Sequence, residues 1–435
     1  MSGTNGSPSR KRLPEPAATS IRSFRRLFPA AAQRPQGPRF ALPQLLRPRP
    51  QRTGAGADAQ RTPRRPRIVV TVTVDSTLGF MDLFIPLLAT RGWDVHVVTS
   101  PGPKLDAYRV HPGITVHELA MQRSPHPSDA QALANWVSLL NQLRPEVIFA
   151  ASPKASMLAM LAGRAVRVPV RVYSVIGLRL ETATGKLLEV LKRTEKLTVS
   201  SATHVLSVSE SISAALPRYG INKQCEIIGK GSFFGFDPAS FSRSAHTGDP
   251  SSPVIGFVGR LQVDKGVREL VDAFKRVRQE IPGAKLLVAG PDEGCAHLLE
   301  ELPEDSYTWL GRVSDPTEVY HHCDVFCLPT YREGFGIVVC EAQACGVPVV
   351  TTDATGAINA ADYGRTARVA RVRDSESLFE ELMVVLTDED ERERLRTTGL
   401  EWARNFDRRH LSELTEKWLR EVLIDSQRRR AAGRG

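Results

Sequence analysis

The sequence predicts an α/β protein built of two successive domains, each a doubly wound parallel sheet. Three observations lead there. Short β-branched and aliphatic runs alternate with helical segments from residue 67 onward, the pattern of parallel strands joined by crossover helices. The runs are continuous rather than alternating, as in strands covered on both faces. The series halts at a polar, Gly- and Pro-containing break at 241–252 and then starts again. A chain of 435 residues is long enough for two such domains, and 41% hydrophobic with 6% aromatic residues fits the class.

Residues 1–66 are rich in Pro and Arg, lack periodicity, and read as a disordered extension. Arg25-Arg26 resembles the start of a twin-arginine signal, but Pro35, Arg39 and Pro43 interrupt any apolar stretch after it. The first strand is expected at 68–74, followed by a helix carrying Leu83, Leu87 and Leu88. Further strands are expected at 94–98, 114–119, 147–150, 170–175, 204–207 and 226–228. These make a first domain over 67–240. After the linker at 241–252, strands are expected at 254–258, 285–289, 308–310, 325–328 and 347–351, within a second domain over 253–405. The helix at 267–277 shows one apolar face, at 267, 270, 271, 274 and 277. Asp315-Pro316 opens the helix before Cys323. A last amphipathic helix over 406–423, with Leu411, Leu414, Trp418 and Val422, is expected to pack back toward the first domain, ahead of a basic tail over 424–435 that frays from Gln427.

The net charge of +10 is unevenly placed. Residues 1–67 hold 15 Lys/Arg against two Asp/Glu, and the remaining 368 hold 43 against 46. The globular part is slightly acidic, which argues against a nucleic-acid partner. No run of 18 apolar residues occurs, so no membrane-spanning helix is expected. The six cysteines form no paired CxxC pattern and read as reduced core thiols of a cytoplasmic protein. No metal site is expected: His321, His322 and Cys323 are consecutive and cannot all face one ion. Asp388-Glu389-Asp390 reads as the acidic first turn of a helix capped by Thr387.

The chemistry concentrates in two segments of the second domain. Residues 331–350 place Glu333 and Glu341 around a Gly334-Phe335-Gly336 turn that opens a helix at Ile337. Free N–H groups at such a turn make an anion site, and both glutamates are expected to face its mouth and reach hydroxyls. The strand at 254–258 runs into Gly259-Arg260-Leu261-Gln262-Val263-Asp264-Lys265-Gly266, two cations at the C-terminal end of a parallel strand. Arg260 can fork onto a phosphate and Lys265 adds a point charge. A diphosphate between two hydroxyl-rich groups, a nucleotide-sugar, fits both loops. Dinucleotide and P-loop readings fail: neither GxGxxG at a strand-to-helix turn nor GxxxxGK[ST] occurs, and 229–235 has the wrong last spacing.

Together these loops resemble glycosyltransferase family 4, retaining nucleotide-sugar-dependent enzymes of the GT-B fold, over about residues 67–423. Ser152-Pro153-Lys154-Ala155, 180–185, Val208-Ser209-Glu210-Ser211 and Gly229-Lys230-Gly231-Ser232 resemble the capsule, exopolysaccharide and O-antigen branch. The resemblance implies two Rossmann-like domains facing across a cleft, the first on the acceptor side and the second holding the donor. It implies that Arg260 and Lys265 bind the donor diphosphate and Glu333 meets the transferred sugar. Glu341 would hold the ribose, and Gly259, Gly334, Phe335, Gly336 and Ile337 complete the donor side. Gly177, Glu181, Thr182, Gly231 and Ser232 fall on the acceptor side of the cleft. Arg260, Lys265 and Glu333 would be the catalytic set, with no metal or other cofactor. The implied partners are a donor, with uridine as the default base, and a saccharide on a polyprenyl diphosphate at the inner face of the plasma membrane. Three departures stand out: Ile176, Phe149-Ala150-Ala151 and Phe234 occupy positions where relatives carry histidines and an asparagine. They thin the polar groups on the acceptor side. That leaves open a binding partner without catalysis, and, further off, a GT-B epimerase.

Overall fold

The computed structural model describes residues 64–122, 124, 126–241 and 248–432. The leader reading therefore falls, up to residue 63, outside the described residues, as does half of the 241–252 linker.

Two six-stranded parallel sheets account for the strands. The first has order β3-β2-β1-β4-β5-β6 and the second β12-β11-β10-β7-β8-β9. Its members are β1 (Arg67–Thr71), β2 (Asp94–Thr99), β3 (Ile114–Glu118), β4 (Val147–Ala151), β5 (Val170–Val175) and β6 (His204–Ser207). The second sheet comprises β7 (Val254–Val258), β8 (Lys285–Ala289), β9 (Tyr307–Trp309), β10 (Val325–Leu328), β11 (Val349–Thr352) and β12 (Arg368–Ala370). In each sheet the winding reverses between its first and fourth strands, β1 beside β4 and β7 beside β10. Loops at the C-terminal ends of those pairs diverge and leave a crevice, where open α/β sheets take ligands.

The strands follow from their sequences. Ile68, Val69 and Val70 of β1 and all five residues of β4 are fully buried, as expected of strands with helices on both faces. The helices of the first half are α1 (Phe84–Thr90), α2 (Asp106–Arg109), α3 (Asp129–Leu143), α4 (Pro153–Ala165), α5 (Gly185–Ser201) and α6 (Glu210–Ala215). Those of the second are α7 (Val267–Glu280), α8 (Thr317–Tyr320), α9 (Ile337–Ala344), α10 (Ser375–Thr387), α11 (Glu389–Ala403) and α12 (Arg408–Ala432). The apolar face read at 267–277 is the buried face of α7.

Four local readings are corrected. Residues 226–228 form no strand: Glu226 makes one isolated bridge to Leu206, and its side chain accepts the indole N–H of Trp418 at 2.7 Å. β11 starts at Val349 because Pro348 has no N–H to give to a ladder. The cap of α11 is Asp388, which accepts from the Glu391 amide, while Thr387 ends α10 and bonds the Met383 carbonyl. The tail does not fray at 427: α12 continues to Ala432, and Arg430 donates to the Arg167 carbonyl. β12, a three-residue edge strand without an apolar run, went unpredicted and is defined by pairing with β11.

The chain crosses between the halves twice, side by side. Phe236 donates to Phe406 O at 3.0 Å, and Arg408 donates to Phe236 O at 2.8 Å. Beyond the second crossing α12 lies on the first half. Arg408 pairs with Asp82 at 2.8 Å, and the indole N–H of Trp93 donates to Glu416 at 2.9 Å.

Candidate active site

Two loops of the second sheet build the site because β7 and β10 are neighbours at its reversal. The β7–α7 loop carries 259–266 and the β10–α9 loop carries 329–336. Their backbones touch: a methyl group on Gly266 would sit 1.9 Å from the Pro329 carbonyl oxygen, and φ there is +69°. Further bonds lock them. Tyr331 donates its amide to Asp264 O at 2.9 Å, and the Thr330 hydroxyl donates to the same carbonyl at 3.0 Å. Arg332 pairs with the Asp264 carboxylate at 2.7 Å.

Lys265 and Glu333, one from each loop, meet as an ion pair through Nζ and Oε1. Both are mostly shielded, with side chains 13% and 15% exposed. The Glu333 amide is fixed by Thr355 O at 2.8 Å. Gly336, at φ +85°, then turns the chain into α9; its carbonyl accepts the Val339 amide at 2.9 Å, and the Ile337 and Val338 N–H groups before it have no intrahelical acceptor. A cation, a carboxylate and a helix N-terminus thus converge on one spot.

The structure treats the other two charged candidates differently. Arg260 does not join Lys265; its guanidinium bonds Glu293 at 2.7 Å, with both side chains well exposed. Such a pair contributes about 0–1 kcal/mol and is easily exchanged for a stronger anion. Glu341 does not stand free at the mouth. It accepts the Tyr320 hydroxyl at 2.9 Å. Burial pushes its carboxyl up to about 7, against lowering by the Tyr320 hydrogen bond and by Arg408.

The first half presses directly on this loop. A methyl on Gly334 would sit 2.2 Å from the Ile176 carbonyl oxygen, and one on Gly231 would sit 2.9 Å from the Phe335 ring. Gly177 stacks on Gly334, and Thr182 accepts from Arg332 at 3.1 Å. Ser232, buried beside Gly231, donates its amide to Val208 O. Glu181 carries a buried carboxylate oxygen without a hydrogen-bond partner among the described residues. Gly177, Thr182 and Gly231, three of the first-half residues named from sequence, therefore meet the 332–335 segment.

Several residues of this junction were given no role by the sequence reading. Ser211, quoted there only within the 208–211 motif, lies on the first turn of α6; it accepts the Gly356 amide at 2.8 Å, and its own amide donates to the Asn359 side chain at 3.0 Å. These bonds tie the first half to the 353–360 loop that holds Glu333. Arg332, Thr355 and Tyr320 are likewise long-range partners, and no local pattern flags them. Two departures from the resembled family are coupled in space. Phe149 lies 5.5 Å and Phe234 6.0 Å, ring to ring, from Phe84, so one aromatic cluster replaces the polar groups expected there.

Comparison with known proteins agrees with this architecture. The family described as glycosyl transferases group 1 matches residues 240–402, and that described as glycosyl transferase 4-like domain matches 84–231. Capsular polysaccharide biosynthesis glycosyltransferase CapM of Staphylococcus aureus is 33% identical over 350 residues, covering 77% of this chain and 91% of that protein. The N,N'-diacetylbacillosaminyl-diphospho-undecaprenol alpha-1,3-N-acetylgalactosaminyltransferase of Campylobacter jejuni is 28% identical over 285 residues, 62% of this chain and 75% of that one. Among solved structures, Anabaena Alr3699/HepE in complex with UDP and glucose superposes with a TM-score of 0.67 at 19% identity, over 82% of this chain and 100% of that one. Sucrose-phosphate synthase from Thermosynechococcus elongatus gives 0.68 at 19%, over 83% and 100%. At such identities the solved structures speak for the fold, two parallel-sheet domains facing across a cleft.

Proposed function

Because this chain belongs to the glycosyltransferase family of the group 1 and 4-like domains, we propose that it moves a sugar from a nucleotide-sugar to a lipid-linked saccharide during assembly of a surface polysaccharide. The activities for which its relatives are named, capsule biosynthesis and transfer onto a diphospho-undecaprenol sugar, support the pathway and the acceptor class. A relative in fold bound to UDP supports a uridine donor.

The Lys265–Glu333 pair carries the reading. An incoming diphosphate competes for Lys265, and its charge favours the helix N-terminus beside it. Glu333, released from Lys265, accepts hydroxyls of the transferred sugar, and Glu341 holds the ribose. Arg260 exchanges Glu293 for a phosphate oxygen. The C1–oxygen bond to the diphosphate then breaks while the acceptor oxygen bonds C1 from the same face, so configuration is retained. The acceptor proton passes to the leaving diphosphate, and Lys265 and Arg260 stabilise the negative charge that grows there. These two cations do the work for which a metal would otherwise serve.

The test is transfer from UDP-sugars to a polyprenyl-diphosphate saccharide in a chelating buffer, alongside thermal stabilisation by a panel of nucleotide-sugars. Lys265→Ala and Glu333→Ala should each cut turnover by about a hundredfold or more, the loss of one preorganised charge contact. Undiminished turnover in either variant would overturn the site. The aromatic cluster at Phe84, Phe149 and Phe234 supports one other reading, a nucleotide-sugar-binding partner of another transferase. Donor stabilisation without turnover on any acceptor would favour it.

A further inference from the structure

The end of the first sheet farthest from the cleft gathers cations that the fold leaves uncompensated. Arg171 is the second residue of β5, and its guanidinium bridges two turns. Its Nε donates to Ser201 O at 2.7 Å, and a terminal nitrogen donates to Val168 O at 2.6 Å. The carbonyls next to these two take further cations. Lys223 donates to Ala202 O at 2.6 Å, and Arg430 of α12 donates to Arg167 O at 3.2 Å. Arg430, Arg171 and Lys223 thus stand in one row, each joined to the next through adjacent backbone carbonyls. Burial first, and then the charges of Arg164 and Arg430, hold the Arg171 pKa below its usual value, and Arg171 acts in the same sense on half-buried Lys223. Arg164, Arg167 and Arg429 add exposed charges around the row. Among the described residues none of these six cations is ion-paired with a carboxylate. Two acids of this part of the domain are turned to other partners: Glu226 accepts the Trp418 indole, and Glu195 accepts the Tyr173 hydroxyl. Capping explains a share of the arrangement. The C-terminus of α5 carries about half a negative charge, which Lys223 and Arg171 answer. Half a charge does not offset three cations in a row with three more beside them.

We propose that this row is a binding site for a compact soluble oligophosphate, a second anion site remote from the donor loops. Cationic heads in line suit successive phosphate groups, and guanidinium forks match phosphate oxygens. A long polyanion is a poor occupant. Beyond residue 67 the chain holds 43 Lys/Arg against 46 Asp/Glu, so a nucleic-acid strand reaching past the cluster meets an acidic surface. A bilayer is a poor occupant as well. Headgroups attract basic residues by summed surface charge and ask for no convergence, whereas Arg171 and Lys223 are half-buried at the centre of the row.

The placement separates this site from the candidate active site. Arg171 lies at the start of β5 and Gly177 just past its end, roughly 20 Å apart at the rise of a strand. Arg430 also sits near the end of α12, whose start is fastened to the first half by Arg408 and Asp82. An anion held by Arg430 and Arg171 together would fasten the other end of that helix too.

His204, at the start of β6, is the local reporter. Burial first lowers its pKa, Glu226 raises it, and Lys223, Arg429 and Arg171 lower it further. Its ring also meets the Thr203 hydroxyl at 3.0 Å and the Trp418 ring edge-on. The full-length chain is titrated with sodium tripolyphosphate, and the His204 imidazole is followed by NMR with labelled histidine, its signal assigned by its loss in His204→Gln. An anion on the row should raise the His204 pKa by about one unit, the effect of a close opposite charge. Tripolyphosphate held by the basic leader or by the donor loops leaves His204 unmoved. Arg164→Glu/Arg430→Glu, both exposed positions, should weaken the affinity read at His204 at least about thirtyfold, since two charged hydrogen-bond partners are lost. An unchanged melting temperature shows that this variant is folded; if it melts early, Arg164→Gln/Arg430→Gln takes its place. No rise with saturating tripolyphosphate overturns the site, and so does an equal rise with sodium chloride of matched ionic strength. Undiminished affinity in the substituted chain overturns the row as its seat. A rise with phosphatidylglycerol vesicles and none with tripolyphosphate overturns the soluble ligand. Donor binding and transfer enter none of these readouts, so the function proposed above stands or falls separately.

Discussion

Lys265 and Glu333 illustrate how one pair can be both structural and chemical. Paired, they cancel charge inside a shielded mouth; in the function proposed above a ligand separates them and each takes a task. Glu341 has a different character, set by its surroundings. Its carboxyl is pushed up to about 7 from an ordinary 4.5, burial being the first cause. The folded chain therefore binds this proton more tightly than the unfolded chain does. The contribution of Glu341 to stability is greatest below about 4.5, declines as pH rises to about 7, and is flat beyond. Ligand binding should run the other way if ribose hydroxyls donate to the ionised carboxylate. UDP-sugar affinity, measured by calorimetry from pH 5.5 to 8.5, should climb by up to about tenfold per pH unit below 7 and then level. The sugar diphosphate itself does not titrate in that range. Glu341→Gln should flatten the profile, and a persisting slope would remove Glu341 from the ribose. At this scale the sequence could name candidate residues and could not name their partners. Tyr320, Glu293 and Asp264 lie 21, 33 and 68 positions or so from what they touch.

Among the elements, the two site loops are held by backbone contact more than by side chains. Gly266 is the tightest point, with the Pro329 carbonyl where a methyl would go. Gly364 has nearly the same φ, +70°, and nothing within 4 Å. The pair separates dihedral strain from steric contact. Gly364→Ala should cost about 1–2 kcal/mol, the penalty for a side chain at positive φ. Gly266→Ala should cost at least about 2 kcal/mol more, because the β7–α7 and β10–α9 loops must part. Denaturant titration of both variants decides this, and equal losses would mean that the loops are not in the contact described. Strands were legible where aliphatic runs were long, as in β5, β7, β8 and β10. β12 and residues 226–228 were not, because a short edge ladder depends on its neighbour more than on its own residues.

For the molecule as a whole, the important feature is that the two halves meet over the site. Ser211 and Asn359 join α6 to the 353–360 loop, and Thr355 of that loop fixes the Glu333 amide. Closure and carboxylate placement are thereby mechanically joined. Ser211→Ala and Asn359→Ala should raise the donor KM about fivefold each, the worth of about one hydrogen bond, with kcat changed less and the melting temperature nearly constant. Small-angle scattering should show a more expanded chain. Unaltered KM and scattering in the double variant would sink the coupling. The return of α12 onto the first half, through Arg408, Glu416 and Trp418, sets the same closure from the opposite side.

The sequence by itself determined the α/β class, the two sheets and the two loops that meet at the candidate site. Those properties rest on strand runs, helix periodicity and turn glycines, which act over a few positions. Tertiary structure alone decided that Arg260 is held by Glu293, that Glu341 keeps its proton to about 7, and that Gly334 lies under Ile176. It also decided that Phe149 and Phe234, far apart in sequence, gather on Phe84 as one aromatic cluster. Each of these depends on which distant segments come into contact, and contact is what sets dielectric, charge partner and exposure.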